Sequence, residues 1–241
     1  MYDSPRTGIG LIVSGLLAAA SPAMGDLVLD VGSFDGSAAP GHGWPGVVNT
    51  WGGDAATIVQ AERGITPYAG SGMLRFDSAG GGTASSLSSG DLYQTIDVTP
   101  YATAVAAGQV RVTASAWFNR VAGDSQTDTQ FGIGLRAFAG SPSRFPSVVT
   151  TGVLDMDRSF IQTDRDAATW QQATVELVLP TNTSYFSVWI APQENVFNDT
   201  QGDEFDGHYA DAVSLRFAAI PTPGTWLIAG VGGLIALVKK I

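Results

Sequence analysis

The chain has 241 residues, 12 basic and 22 acidic, with a formal charge of −10 and no cysteine. That balance disfavours nucleic acid and anionic membrane surfaces as partners and favours hydrated cations. The missing thiols exclude disulfides and thiolate metal sites, and with only His42 and His208 a multi-histidine zinc centre is excluded too.

The first element is an apolar stretch of 12 residues, Ile9 to Ala20, preceded by Arg6. Its length suits the hydrophobic region of a secretory signal peptide and is short for a bilayer span. Only Ser14 interrupts it, whereas a core helix would alternate polar residues along one face. Pro22 breaks the helix, and Ala23 and Gly25 supply small residues for signal-peptidase cleavage. Residues 1–25 are therefore expected to be a signal peptide, handled by the export machinery, with the mature chain starting near Asp26.

From there to Ala218 the pattern is short alternating runs between turns. Strands are predicted at 27–31, 56–60, 73–77 and 93–98. Next comes a run in which Val110, Val112, Ala114, Ala116 and Phe118 alternate with Arg111, Thr113, Ser115, Trp117 and Asn119. Further strands are predicted at 131–136, 174–179, 186–191 and 209–217. Period-two runs of β-branched and aromatic residues signal half-buried antiparallel strands. Eight or more strands without a long amphipathic helix predict an all-β, two-sheet antiparallel sandwich over 26–218. The Gly/Ser stretch 78–90 is a loop inside that domain.

The last element, from Trp226 to Val238, is 13 uncharged residues. As a helix it is roughly 20 Å long against a ~30 Å hydrocarbon core, and snorkelling by Lys239 and Lys240 extends its reach. These are the only lysines in the chain, and Pro221 and Pro223 prevent one continuous helix from domain to tail. Setting aside Arg6, Lys239 and Lys240 leaves nine basic residues, all arginine, against 21 acids once Asp3 is also removed.

This tail, with Pro221-Thr222-Pro223-Gly224, a short hydrophobic helix and a basic tip, resembles the PEP-CTERM sorting signal of exopolysaccharide-producing bacteria; Thr222 stands where the family name specifies glutamate. The resemblance spans about the last 22 residues, 219–241 being the sorting segment. It implies an exosortase-type partner, transient membrane anchoring and a destination in the cell envelope or outside the cell.

The middle domain opens with LVLDVGSFDG and closes with FDGHYADAVSL, and in this it resembles galactose-binding-like jelly rolls, which include many carbohydrate-binding modules. It departs at Val31, Asp35 and Ala212, where asparagine, glutamate and a second acidic residue are usual. The resemblance implies a jelly-roll sandwich and a structural calcium between opening turn and final strand, at Asp35 and Asp211. Calcium takes six to eight oxygens, which two carboxylates, carbonyls and water supply. The acidic loop 195–207 lacks EF-hand spacing.

Trp44, Trp51, Tyr68, Trp117, Trp170 and Trp189 offer flat apolar faces of the kind that stack on sugar rings. Trp117 and Trp189 fall opposite the core phase of their strands, so they are expected on outer sheet faces; Trp44 and Trp51 lie in a Gly/Pro-rich segment. These four tryptophans are the candidate ligand residues. Residues 204–209, EFDGHY, resemble the catalytic strand of jelly-roll glycoside hydrolases, but Tyr209 replaces the second glutamate and removes the acid partner. No catalytic residue is therefore expected. The reading is an exported, non-catalytic protein that binds polysaccharide of the envelope or matrix. The alternatives are a structural or adhesive surface protein and, third, a glycosidase.

Overall fold

The computed structural model describes residues 27–36, 39–77, 88–122, 129–164, 166–194 and 207–221. The predicted signal-cleavage residues Ala23 and Gly25 lie outside them, as do Thr222, Pro223, Gly224, Lys239 and Lys240 of the predicted sorting segment. Among the described residues no helix is long and apolar enough to cross a membrane.

Among the described residues thirteen strands follow in chain order: β1 (Leu27–Gly32), β2 (Gly41–His42), β3 (Trp51–Gly53), β4 (Ala56–Val59), β5 (Met73–Phe76), β6 (Ser88–Ser89), β7 (Leu92–Asp97), β8 (Val110–Arg120), β9 (Thr129–Phe138), β10 (Val153–Gln162), β11 (Gln171–Val178), β12 (Tyr185–Glu194) and β13 (His208–Ala219). Two short helices, α1 (Ala102–Ala106) and α2 (Phe145–Val148), lie in connections. Sheet one runs β11-β8-β13-β5-β4, with β1 also paired to β13; sheet two runs β10-β9-β12-β7-β3-β2, with β6 on β12. All pairings but β2–β3 are antiparallel. This is the all-β jelly-roll sandwich read from the sequence.

The alternation in β8 faces the core as its phase requires. Val110, Val112, Ala114, Ala116 and Phe118 are fully buried, and Phe118 stacks across the sandwich on Phe131 of β9 at 4.9 Å. Each such large apolar side chain contributes about 1.5–3 kcal/mol by leaving water. β13 leads the chain out: its last residues pair with β8, and the Ile220 N–H donates to Gln109 O at 2.9 Å.

The fold departs from the sequence reading in two places that shape the outer faces. β10 is absent from the strands that alternation predicts, and it forms the outer edge of sheet two. Both outer sheet faces also carry small secondary cores under loops, one around Ile65, Met73 and Tyr209 and the other around Tyr93, Phe145 and Tyr185.

Candidate functional site

Strand β13 changes partner along one edge. Residues His208–Ala210 pair with β5, and Val213–Phe217 pair with β1. At the changeover the register against β8 slips between Asp211 and Ser214, and Ala212 bulges out with φ 47°. The loop 66–72 reaches the strand at this bulge, through the Ala69 N–H bonded to Asp211.

The two predicted calcium residues meet there. Asp35 Oδ1 accepts from the Ser71 N–H (2.5 Å), the Gly72 N–H (2.9 Å) and the Ser71 hydroxyl (3.0 Å). Asp211 Oδ2 accepts from the Ala69 N–H (3.1 Å) and Oδ1 from the Ala212 N–H (2.7 Å). Gly70, at φ +63°, lies between them, and a Cβ there would overlap the Asp35 carboxylate. Those N–H donors hold the exposed Asp35 carboxyl below its ordinary value. Asp211 is fully buried, and burial pushes its carboxyl up to about 6, with a smaller push from the Asp35 charge.

This pair fits a calcium ion in donor type and in surplus negative charge. An ionised carboxylate has about four acceptor positions, so lone pairs remain beyond the N–H bonds. Among the described residues no group of three or more Asp, Glu or His side chains gathers to hold a metal, so the other ligands would be carbonyls and water.

The clamped loop carries Tyr68. Its ring, 44% exposed, stacks on Trp117 of β8 at 4.0 Å and 16°, and meets Trp170 edge-on at 6.3 Å. Trp170 is fixed by its indole N–H to Thr66 O at 2.9 Å. Trp117 does lie on the outer face, as its strand phase predicts, but half-buried under Tyr68.

The outer face of sheet two holds the other candidates. Cross-strand register sets Tyr93, Trp189, Gly134 and Arg158 in one row and Thr95, Ser187, Arg136 and Met156 in the next. Trp189 lies flat over β9, because Gly132 and Gly134 leave room for it: a Cβ at Gly132 would come within 2.5 Å of its ring. Its indole donates to Asp91 Oδ1 at 2.6 Å and Phe160 meets it edge-on, leaving it only 5% exposed. The expectation of an outward Trp189 holds for its face; the expectation of an exposed ring does not, because ring and N–H are both taken up by neighbours.

Trp51 also departs from the expected role. Its indole donates to Val31 O at 2.7 Å and its ring packs on the main core near Phe34. Trp44 alone of the four tryptophans is well exposed, at 46%. It sits over Tyr93 at 5.3 Å and against Phe145 at 5.6 Å. The Arg136 guanidinium lies 5.7 Å from the Tyr93 ring centre, and Arg158 lies 5.9 Å from that of Phe160. Sequence reasoning missed Tyr93, Arg136, Arg158 and Phe160. The outward phase of Tyr93 and Arg136 was readable; the meeting of Tyr93 with Trp44 was not.

Tyr209, the residue in place of a second glutamate, is buried and donates to Glu62 Oε1 at 3.0 Å. Glu204 and Asp206 lie outside the described residues.

No family model matches the chain, and no characterised relative matches it. Among solved structures it is similar to a family 61 carbohydrate-binding module in complex with β-1,4-galactotriose, at 11% identity and TM-score 0.41, over 68% of this chain and 85% of that one. It is similar as well to the C-terminal family 22 carbohydrate-binding module of Clostridium thermocellum Xyn10B, at 15% identity and TM-score 0.40, over 79% and 93%. A third likeness is to an arabinose-bound α-L-arabinofuranosidase, at 15% and 0.41, over 69% of this chain and 23% of that chain. Likenesses this distant assign neither a ligand nor a residue role to this chain.

Proposed function

We propose that this protein is exported by its N-terminal signal, anchored and sorted through its C-terminal segment by an exosortase-type enzyme, and binds polysaccharide of the envelope or matrix without cleaving it. The observation that carries the binding claim is the exposed Trp44 ring, backed by Tyr93 and Phe145, with the Arg136 guanidinium against the same Tyr93. A flat apolar surface beside hydrogen-bonding groups matches the apolar face and hydroxyl rim of a pyranose. Tyr68 on Trp117 is a second platform of the same kind on the opposite sheet. A calcium ion at Asp35 and Asp211 would rigidify the loop beneath Tyr68.

Affinity electrophoresis of the chain through gels containing polysaccharides tests the claim. The expected result is retardation by at least one polymer, weakened about tenfold or more by Trp44→Ala, equivalent to about 1.4 kcal/mol. Equal mobility in every gel would overturn it. One observation favours the structural or adhesive reading: edge strand β10 exposes Leu154, Met156 and Phe160. Unpaired edges with apolar side chains are templates for further pairing, so concentration-dependent self-association would support that reading. Localisation of a Pro221/Pro223 double variant tests the sorting claim; unchanged processing would count against it.

A further inference from the structure

Strand β12 runs through the middle of sheet two, between β9 and β7. Phe186, Val188 and Ile190 point into the main core, so Tyr185, Ser187 and Trp189 face outward. Tyr185 and Ser187 are fully buried, yet neither hydroxyl has a hydrogen-bond partner among the described residues. A buried hydroxyl without a partner has given up its hydration and gained nothing in exchange. On sheet one, by contrast, the Ser115 and Ser214 hydroxyls bond each other at 2.9 Å.

The cover over these hydroxyls is the connection 139–152 between β9 and β10, which carries α2. Tyr93 lies opposite Trp189, and Phe138 lies opposite Tyr185, so Ser187 stands midway between Tyr93 and Phe138 on the sheet. The Phe145 ring is centred 5.5 Å from each of those two rings, which places it above Ser187. Trp44 is 5.6 Å from the same Phe145 ring, so the exposed platform adjoins the cover. The cover closes mainly on itself: the Arg144 N–H donates to Ser141 O, the Val149 N–H to Phe145 O and the Gly152 N–H to Val148 O. Residues 141–149 belong to no strand, so lifting them breaks apolar contacts and no bond of the sheet ladder.

From this we infer that the saccharide site continues beneath α2: the polymer displaces Phe145, sugar hydroxyls bond to Tyr185 and Ser187, and a sugar ring stacks on Trp44. The inference rests on the polysaccharide-binding reading and adds two residues that select the ligand. A sugar hydroxyl both donates and accepts, as the Tyr and Ser hydroxyls do, so the pairing brings no charge into the buried layer. The C–H face of the sugar can take over the contacts that Phe145 makes with Tyr93 and Phe138. A lipid chain or an apolar peptide would cover the same rings and leave both hydroxyls unpaired.

The test uses the full chain in mild detergent, affinity gels of xylan, galactan, dextran and alginate, and the variants Ser187→Ala and Tyr185→Phe. The native chain should be retarded by at least one polymer, and each variant should bind that polymer roughly five- to tenfold more weakly, as the loss of one hydrogen bond requires. In the free chain neither variant should lower the melting temperature, because each removes a buried hydroxyl that has no partner. Weaker binding at undiminished stability is the combination that a merely structural role would not give. Ser187→Ala decides, and Tyr185→Phe takes its place if Ser187→Ala fails to fold. Native-like binding by the deciding variant, or weaker binding matched by a lower melting temperature, overturns the inference and leaves polysaccharide binding standing. Retardation of the native chain by none of the four polymers overturns both.

Discussion

Lowering the pH from 7 to 5 should stabilise this protein, through Asp211. Its carboxyl is pushed up to about 6 in the folded state, against an ordinary value of 3.8, chiefly because it is buried beside the β13 bulge. The raised value means that the folded state takes up a proton as pH falls through 6, while the unfolded chain waits until about 3.8. Stability therefore rises as pH falls through that window and is lost as pH rises through 6. Linkage for this one group gives about 1.3 kcal/mol between pH 7 and pH 5. For a domain of this size that is about 3–5 °C in melting temperature. Asp35 does not blur the result: its value is lowered, so its contribution is present above 3.8 and is lost only in more acidic solution. The assay is thermal unfolding at pH 5, 6 and 7 for the native chain and Asp211→Asn. The variant should start about 1–3 kcal/mol less stable, because one amide oxygen cannot serve both the Ala69 and Ala212 N–H groups. What matters is the slope: the native chain should gain on the variant as pH falls. Parallel slopes would refute the burial argument. Millimolar calcium at pH 7 should raise the native melting temperature and flatten its slope, since a cation keeps Asp211 ionised; no change would remove calcium from this site.

Two further predictions concern backbone and packing. Ala212→Gly should raise stability by about 0.5–1 kcal/mol in chemical denaturation, because φ 47° is strained for alanine and free for glycine. Gly132→Ala should cost about 1–3 kcal/mol and change tryptophan fluorescence, because the new methyl meets the Trp189 ring and the Phe160 edge.

The fold was legible wherever one face of a strand is wet. β8 and β11 announce themselves by alternation because their inner residues enter the core and their outer ones meet water or loops, whereas β12, buried on both faces, alternates only in residue type. β10 hid because VLDMDRSFIQ is largely exposed on both sides, so no period-two signal separates its faces. Of the candidate site, Asp35 and Asp211 were found through the opening and closing motifs, and β1 pairing with β13 is the reason those motifs meet. Tryptophan identity and phase gave the outer faces but not the exposure. Trp189 and Trp44 have similar chemistry, yet two glycines on β9 and Asp91 bury the first, while the short Gly/Pro-rich segment leaves the second open.

The sequence alone determined the absence of thiol chemistry, the acidic charge, the alternating strands and hence the sandwich, since these depend on composition and on neighbours one or two residues apart. The tertiary structure decided what requires distant segments to meet: the Asp35–Asp211 clamp on loop 66–72, the half-open Trp44 over Tyr93 and Phe145, and the burial of Trp189. A side chain's partners across a sheet are set by register and by the loops that fold over it, and neither is written in the order of residues along a single strand.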